Sequence, residues 1–159
     1  MHRRDFLRLS SAAAAYATAC PFFFGQISKN LSELSASDFH AARRFLTTSQ
    51  GRISHLDIGK GPAALFLHGF PLNSFQWRGI LPQLAKTHRC IAPDFLGLGY
   101  TEVAEGQEVT SQAQVAMLAE LLDKLSIADI DIVANDSGGA VAQLFSVRYP
   151  HRVKSLFMT

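Results

Sequence analysis

Only two cysteines, Cys20 and Cys90, occur in 159 residues, and they stand in unlike surroundings. Two are too few for a disulfide framework. A bridge between a leader cysteine and one inside an apolar strand is disfavoured as well. Cys90 is read as a small buried hydrophobe. The six histidines and two cysteines show no metal-ligand spacing, so no metal or other cofactor is expected. Charge is sparse too. With 18% charged and 48% hydrophobic residues, the composition is that of an ordinary domain with one core. The body also lacks an excess of either sign. Of 15 basic and 13 acidic residues, Arg3, Arg4, Arg8 and Asp5 fall in the first 25, which leaves 12 of each elsewhere. A neutral body gives no support to a nucleic-acid partner. There is no internal repeat, and the only biased tract is Ala12 to Ala15.

The basic leader is read as an address. Arg3-Arg4-Asp5-Phe6-Leu7-Arg8 resembles the twin-arginine export motif, although His2 stands where Ser or Thr is usual. An uncharged run follows from Leu9 to Ser28, and Ala17-Thr18-Ala19 offers a small-x-small cleavage site. Residues 1–25 are therefore expected to be an export signal, with a periplasmic or secreted product. That route carries folded proteins, so the domain would fold before crossing. The alternative is an uncleaved anchor, since the run nears the roughly 20 residues that span a bilayer; Pro21 interrupts it. Cys20, directly after the cleavage site, is a position open to lipid attachment. Any membrane contact is expected to come only through this leader.

Residues 26–42 read as a polar linker or short helix, and 43–159 as the folded domain. Arg44 to Ser49 and Arg52 to Ile58 alternate and flank Gln50-Gly51, which predicts an antiparallel hairpin. Ala63 to Leu67 is a continuous apolar run, the pattern of a strand buried on both faces. Ser74 to Thr87 has helical spacing with a boundary or kink at Pro82. Cys90 to Pro93 is a strand that runs into the glycine-rich loop Asp94 to Gly99. Thr110 or Ser111 caps a helix whose apolar face carries Val115, Leu118, Leu121, Leu122 and Leu125. Ile130 to Ala134 and Val153 to Met158 are strands, with a helix from Gly139 to Tyr149 between them. Alternating strands and helices call for a parallel sheet with helices on both faces.

The most informative stretch is Asp129 to Ala140, which reads as a strand that passes without a loop into a helix. Such a corner needs small residues two before and two after its central side chain. Ala134 and Gly138 satisfy this for Asp136. Ser137 has Gly139 after it but the larger Asn135 before it, so Asp136 is favoured as nucleophile and Ser137 is the alternative. The plain reading, that Asn135-Asp136-Ser137 only caps the helix, stands beside both. An ionised aspartate can displace a leaving group from saturated carbon without a base; a serine would need a histidine and would act on acyl groups. Upstream, His68-Gly69-Phe70-Pro71 follows the buried strand. The backbone N–H groups of Phe70 and Ser137 are assigned to an oxyanion hole, with His68, Gly69 and Pro71 anchoring the loop. Asp94 is expected to organise its glycine-rich turn. Asn73 and Trp77 are candidates for a pocket, or for capping and packing.

Leu65 to Pro71, Ala92 to Gly99 and Val133 to Ala140 together resemble the alpha/beta hydrolase superfamily. Asn135 to Gly139 is similar to its haloalkane dehalogenase and epoxide hydrolase branch, which uses an aspartate nucleophile. The resemblance implies a small-molecule substrate: an alkyl halide, an epoxide, or an ester if Ser137 is the nucleophile. Dehalogenases usually have tryptophan at the position of Ser137 and asparagine at that of Phe70. Phe70-Pro71 is closer to epoxide hydrolases, whose cap tyrosines would lie beyond Thr159. The family's cap, relay acid and catalytic histidine follow the sixth strand, and none of His2, His40, His55, His88 or His151 matches that histidine. The expectation is thus a fold truncated after its sixth strand. If 159 residues were the whole product, turnover would stall at the ester. A remnant without turnover, acting through a partner or unstable, is the non-enzymatic alternative.

Overall fold

A computed structural model describes residues 34–159. The expected export signal and cleavage site, His2, Cys20 and the first part of the expected linker lie outside these residues. The elements in chain order are α1 (Ala36–Ala41), β1 (Arg44–Thr48), β2 (Gly51–Ile58), β3 (Ala63–Leu67), a 3-10 turn (Ser74–Trp77), α2 (Leu81–Leu84) and β4 (Arg89–Pro93). They continue with α3 (Ser111–Lys124), β5 (Ile130–Ala134), α4 (Ser137–Arg148), a second 3-10 turn (Pro150–Arg152) and β6 (Val153–Met158).

The six strands form one sheet in the order β1-β2-β4-β3-β5-β6. The hairpin β1–β2 is antiparallel and joins β4 antiparallel; β4–β3, β3–β5 and β5–β6 are parallel. β3 sits between β4 and β5, which explains its unbroken apolar run. Its side chains alternate: Leu65 and Leu67 enter the core under α3 and α4, while Ala64 and Phe66 enter the opposite core with Phe39, Trp77 and Leu81. Each fully buried leucine or phenylalanine contributes about 1.5–3 kcal/mol. The expected two-faced mixed sheet is therefore what the chain forms.

Three local readings need adjustment. The hairpin turn is Ser49-Gln50 rather than Gln50-Gly51, because Thr48 pairs with Gly51. The Thr48 hydroxyl closes this turn, accepting from the Gln50 N–H at 3.1 Å and donating to the Gly51 carbonyl at 3.0 Å. Pro82 marks a boundary: it sits in the first turn of α2, where its missing N–H is no loss. The helix after the corner starts at Ser137, two residues earlier than its apolar pattern suggests. Residues 36–41 are helical, capped by Ser35, and bury Phe39 edge-on against Phe75. Thr110 caps α3 by accepting from the Ala113 N–H. At the other margin β6 pairs with β5, and Leu156, Phe157 and Met158 are exposed.

Candidate active site

Parallel neighbours end at the same level, so the loops after β3 and β5 emerge side by side at the carboxyl edge of the sheet. Leu67 pairs with Ala134, and one further bond, from the Asn135 N–H to the Leu67 carbonyl at 3.1 Å, closes the ladder. Directly beyond lies Asp136, at φ 52° and ψ −125°. Among the described non-glycine residues only Asp136 and Ser126 have positive φ. A residue held there costs about 1–3 kcal/mol, so surrounding structure must enforce it.

The enforcement is steric. A β-carbon on Gly138 would sit 2.6 Å from the Leu67 carbonyl oxygen and 2.7 Å from that of His68. The helix can therefore start so close to β3 only with glycine at that position. Gly139 is under no such demand, its nearest neighbour being the Met158 sulfur at 3.7 Å. The corner is centred on Asp136, not on Ser137, which is already helical. On the facing loop, a β-carbon at Gly69 would come within 2.8 Å of the Asp136 β-carbon. Glycine at 69 lets the two loops touch.

Asp136 Oδ1 accepts from the Ser137 N–H at 2.6 Å and from the Phe70 N–H at 3.2 Å. Those two N–H groups, and foremost that of Ser137, hold the carboxyl below the usual aspartate range. The side chain is exposed, so the group meets solvent directly. The two backbone donors assigned from sequence thus converge on one carboxylate oxygen. Phe70 joins Pro71 through a cis peptide bond.

His68 is buried and bridges two loops. Its Nε2 accepts from the Phe95 N–H at 3.0 Å, so the ring proton resides on Nδ1, which donates to the Gly69 carbonyl at 3.0 Å. The same carbonyl accepts from the Leu72 N–H at 2.9 Å. Because the Gly69 carbonyl and the Phe70 N–H belong to one rigid peptide unit, His68 fixes the direction in which that N–H points. Burial pushes the imidazole below its ordinary value and keeps it neutral.

Asp94 lies beneath both loops, fully buried. It accepts from the Ser74 N–H at 2.8 Å, the Tyr100 N–H at 2.9 Å, the Ser54 hydroxyl at 3.0 Å and Arg43 Nη1 at 2.6 Å. Arg43 is buried with it, its guanidinium 4.1 Å from the Tyr100 ring centre. Sequence reasoning found Asp94 but missed Arg43, Gln76 and Asn135. Gln76 Oε1 accepts from the Gly69 N–H at 2.9 Å, and its Nε2 donates to Asn135 Oδ1 at 2.7 Å. Asn73 caps the first 3-10 turn, and Trp77 packs against Phe66 inside the core. Trp77 is thereby removed from any pocket at this edge.

A cavity of about 330 Å³ opens beside the corner, walled by Phe70, Phe95, Leu98, Val109, Val141 and the edge of Ser137. Gln114 supports its floor, its amide exchanging hydrogen bonds of 2.9 and 3.1 Å with the backbone of Leu96. Among the described residues no cluster of histidine, cysteine and carboxylate side chains could hold a metal ion. His40 and His55 belong to the other elements α1 and β2, and no described histidine is hydrogen-bonded to Asp136.

Comparison with known proteins agrees with this layout. A family model described as the alpha/beta hydrolase fold matches residues 62–159. A 2-hydroxy-6-oxo-2,4-heptadienoate hydrolase of Pseudomonas putida is 36% identical over 105 residues, 64% of this chain and 38% of that one. A haloalkane dehalogenase of Mesorhizobium japonicum is 40% identical over 65% of this chain and 34% of its own length. Epoxide hydrolase 2 of Siraitia grosvenorii is 42% identical over 62% of this chain and 32% of its own. Among solved structures, a Vigna radiata epoxide hydrolase variant superposes with a TM-score of 0.66 at 30% identity, covering 73% of this chain and 37% of that one. The chain thus spans a third to two fifths of the length of these relatives, in the amino-terminal part of the fold. By motif order, strand order and family match, the chain belongs to the alpha/beta hydrolase fold family.

Proposed function

We propose that Asp136 is the nucleophile of a hydrolase acting on small neutral molecules with an electrophilic saturated carbon, an alkyl halide or an epoxide. The observation that carries this reading is the division of labour between the carboxylate oxygens. Oδ1 takes the Phe70 and Ser137 N–H bonds, and neither of these donors engages Oδ2. The carboxylate is ionised, exposed and rotationally held, so Oδ2 can attack in line without a base. The new bond joins Oδ2 to carbon. The carbon–halogen bond breaks with its electron pair leaving on halide, or the epoxide C–O bond breaks to an alkoxide that takes a proton from solvent water. The product is an ester whose carbonyl oxygen is Oδ1. Water attack at Cγ then puts negative charge on Oδ1, where both N–H groups already point; one such donor is worth about 3 kcal/mol. That second step requires a proton acceptor, which this reading places outside the described residues.

The apolar walls of the adjoining cavity favour an uncharged, largely hydrocarbon substrate. The dehalogenase and epoxide hydrolase relatives support the same class through their names. A serine reading has one observation in its favour, that Ser137 borders the cavity. Mass spectrometry after incubation with an alkyl bromide or an epoxide separates the two. An adduct on the peptide containing Asp136, absent in Asp136→Asn, is the expected result; labelling of Ser137 by a fluorophosphonate with no alkyl adduct would overturn it. We also propose that the leader directs twin-arginine export; replacing both Arg3 and Arg4 by lysine should leave the protein in the cytoplasmic fraction.

A further inference from the structure

The sheet ladder between β3 and β5 stops one rung short of the site. In a parallel pair, a residue that donates to the residue before its partner accepts from the residue after it. Asn135 donates its N–H to the Leu67 carbonyl, so its own carbonyl is the regular acceptor for the Gly69 N–H. That carbonyl is diverted, because the corner turns it into α4, where it accepts from the Gly138 N–H at 2.9 Å. The buried Gly69 N–H therefore needs another acceptor.

Gln76 supplies it. Its amide bridges the gap in two bonds, Gly69 N–H to Oε1 at 2.9 Å and Nε2 to Asn135 Oδ1 at 2.7 Å. The Asn135 amide then turns its Nδ2 to the Thr159 carbonyl and hydroxyl, at 3.2 and 2.9 Å. The relay has one direction only. The donor at Gly69 fixes which end of Gln76 accepts, and that in turn fixes the orientation of Asn135.

We infer that Gln76 and Asn135 are positioning residues, a side-chain rung that replaces the missing backbone rung and holds the Phe70 N–H against the Asp136 carboxylate. The two donors to Oδ1 differ in what they depend on. The Ser137 N–H belongs to the residue next to Asp136 and stays near it whatever the loops do. The Phe70 N–H comes from 66 positions away. It stays in place only if the loop after β3 and the corner after β5 keep their spacing. Between the last ladder bond and the Phe70 contact, the Gln76 amide joins the two loops. The inference rests on the proposed nucleophile reading for its catalytic meaning, since Phe70 matters there as a donor to the developing oxyanion.

The test is residue-resolved amide exchange on the 15N-labelled full chain, comparing wild type with Gln76→Met, Asn135→Leu and the double variant. Methionine keeps the length of glutamine and removes both polar ends. In each single variant the Phe70 amide is expected to exchange about tenfold faster or more, while the Ser137 amide changes by less than about twofold. The double variant should add almost nothing to either single, because both remove one rung. Unchanged Phe70 exchange in Gln76→Met overturns the inference. So does equal acceleration at Phe70 and Ser137, which marks general loosening, or additive effects in the double variant. If the Phe70 amide is unprotected in wild type and unaffected by Asp136→Ala, the oxyanion reading itself fails. That outcome is separate from the comparison among the Gln76 and Asn135 variants.

Discussion

Replacing Gly138 by alanine adds one methyl group at the point where α4 leaves the sheet, and the structure leaves it nowhere to go. The new carbon would lie 2.6 and 2.7 Å from two carbonyl oxygens and 2.9 Å from the Leu67 carbonyl carbon, all of them backbone. Ordinary contact begins near 3.4 Å, so α4 and the end of β3 must separate by roughly 0.8 Å. Overpacking of that kind costs about 1–3 kcal/mol. The separation also strains the Asn135–Leu67 bond, worth about 1 kcal/mol net. Against this, alanine gains under about 1 kcal/mol of helix propensity over glycine. The net expectation is a loss of about 2 kcal/mol, read as a fall of about 1 M in the urea midpoint by circular dichroism at unchanged slope. Gly139→Ala is the internal control. Its methyl group meets a flexible methionine at 3.7 Å, so only the propensity gain remains and stability should hold or rise by up to about 0.5 kcal/mol. Opposite signs at adjacent glycines are the signature of the corner. If Gly138→Ala is as stable as wild type, the claim that close backbone approach fixes Asp136 in its unusual conformation is wrong.

Asp136→Gly should relieve the positive-φ strain and raise the urea midpoint by the equivalent of up to about 1 kcal/mol, while abolishing alkyl adducts; a destabilised variant would mean the corner is unstrained. Burial lowers the values of both His55 and His68 from the ordinary 6.5. The unfolded chain then binds more protons in that window, so stability is full above pH 6.5 and is lost as pH falls through it toward the folded values. Urea titrations at stepped pH should show this slope, and His68→Asn should reduce it. Asp94→Ala strips a buried Arg43 of its counter-ion and should cost about 3–5 kcal/mol, measured by denaturant unfolding; a loss below about 1 kcal/mol would show that Arg43 reaches water in the folded state.

Much of this fold can be read along the chain because its signals are local. Ala63–Leu67, Ile130–Ala134 and Val153–Met158 are strands with the bounds read from the sequence. Thr110 caps its helix through its own side chain, three residues from the N–H it binds. The hairpin turn shifted by one residue because the Thr48 hydroxyl, not the nearby glycine, closes it. The pairing of polar residues far apart in the chain was invisible. Arg43 and Asp94 lie 51 positions apart and Gln76 and Asn135 lie 59 apart, with nothing in the spacing to join them. Trp77 and Gln76 are neighbours in the chain, yet one packs in the core and the other bridges two loops.

The order of residues alone determined which side chain could stand at the corner. Small residues at 134 and 138 are a pattern legible along the chain, and they single out Asp136 over Ser137 for the corner, although the atoms that demand glycine at 138 are carbonyl oxygens at the end of β3. What the carboxylate does there was decided by tertiary structure. Only parallel pairing of β3 with β5 brings the Phe70 N–H, from a different loop, to the same oxygen that the Ser137 N–H holds. A demand for a small residue leaves a trace in sequence even when the neighbour that imposes it is distant. Hydrogen bonds across a sheet depend on register, which emerges only when the whole layer packs.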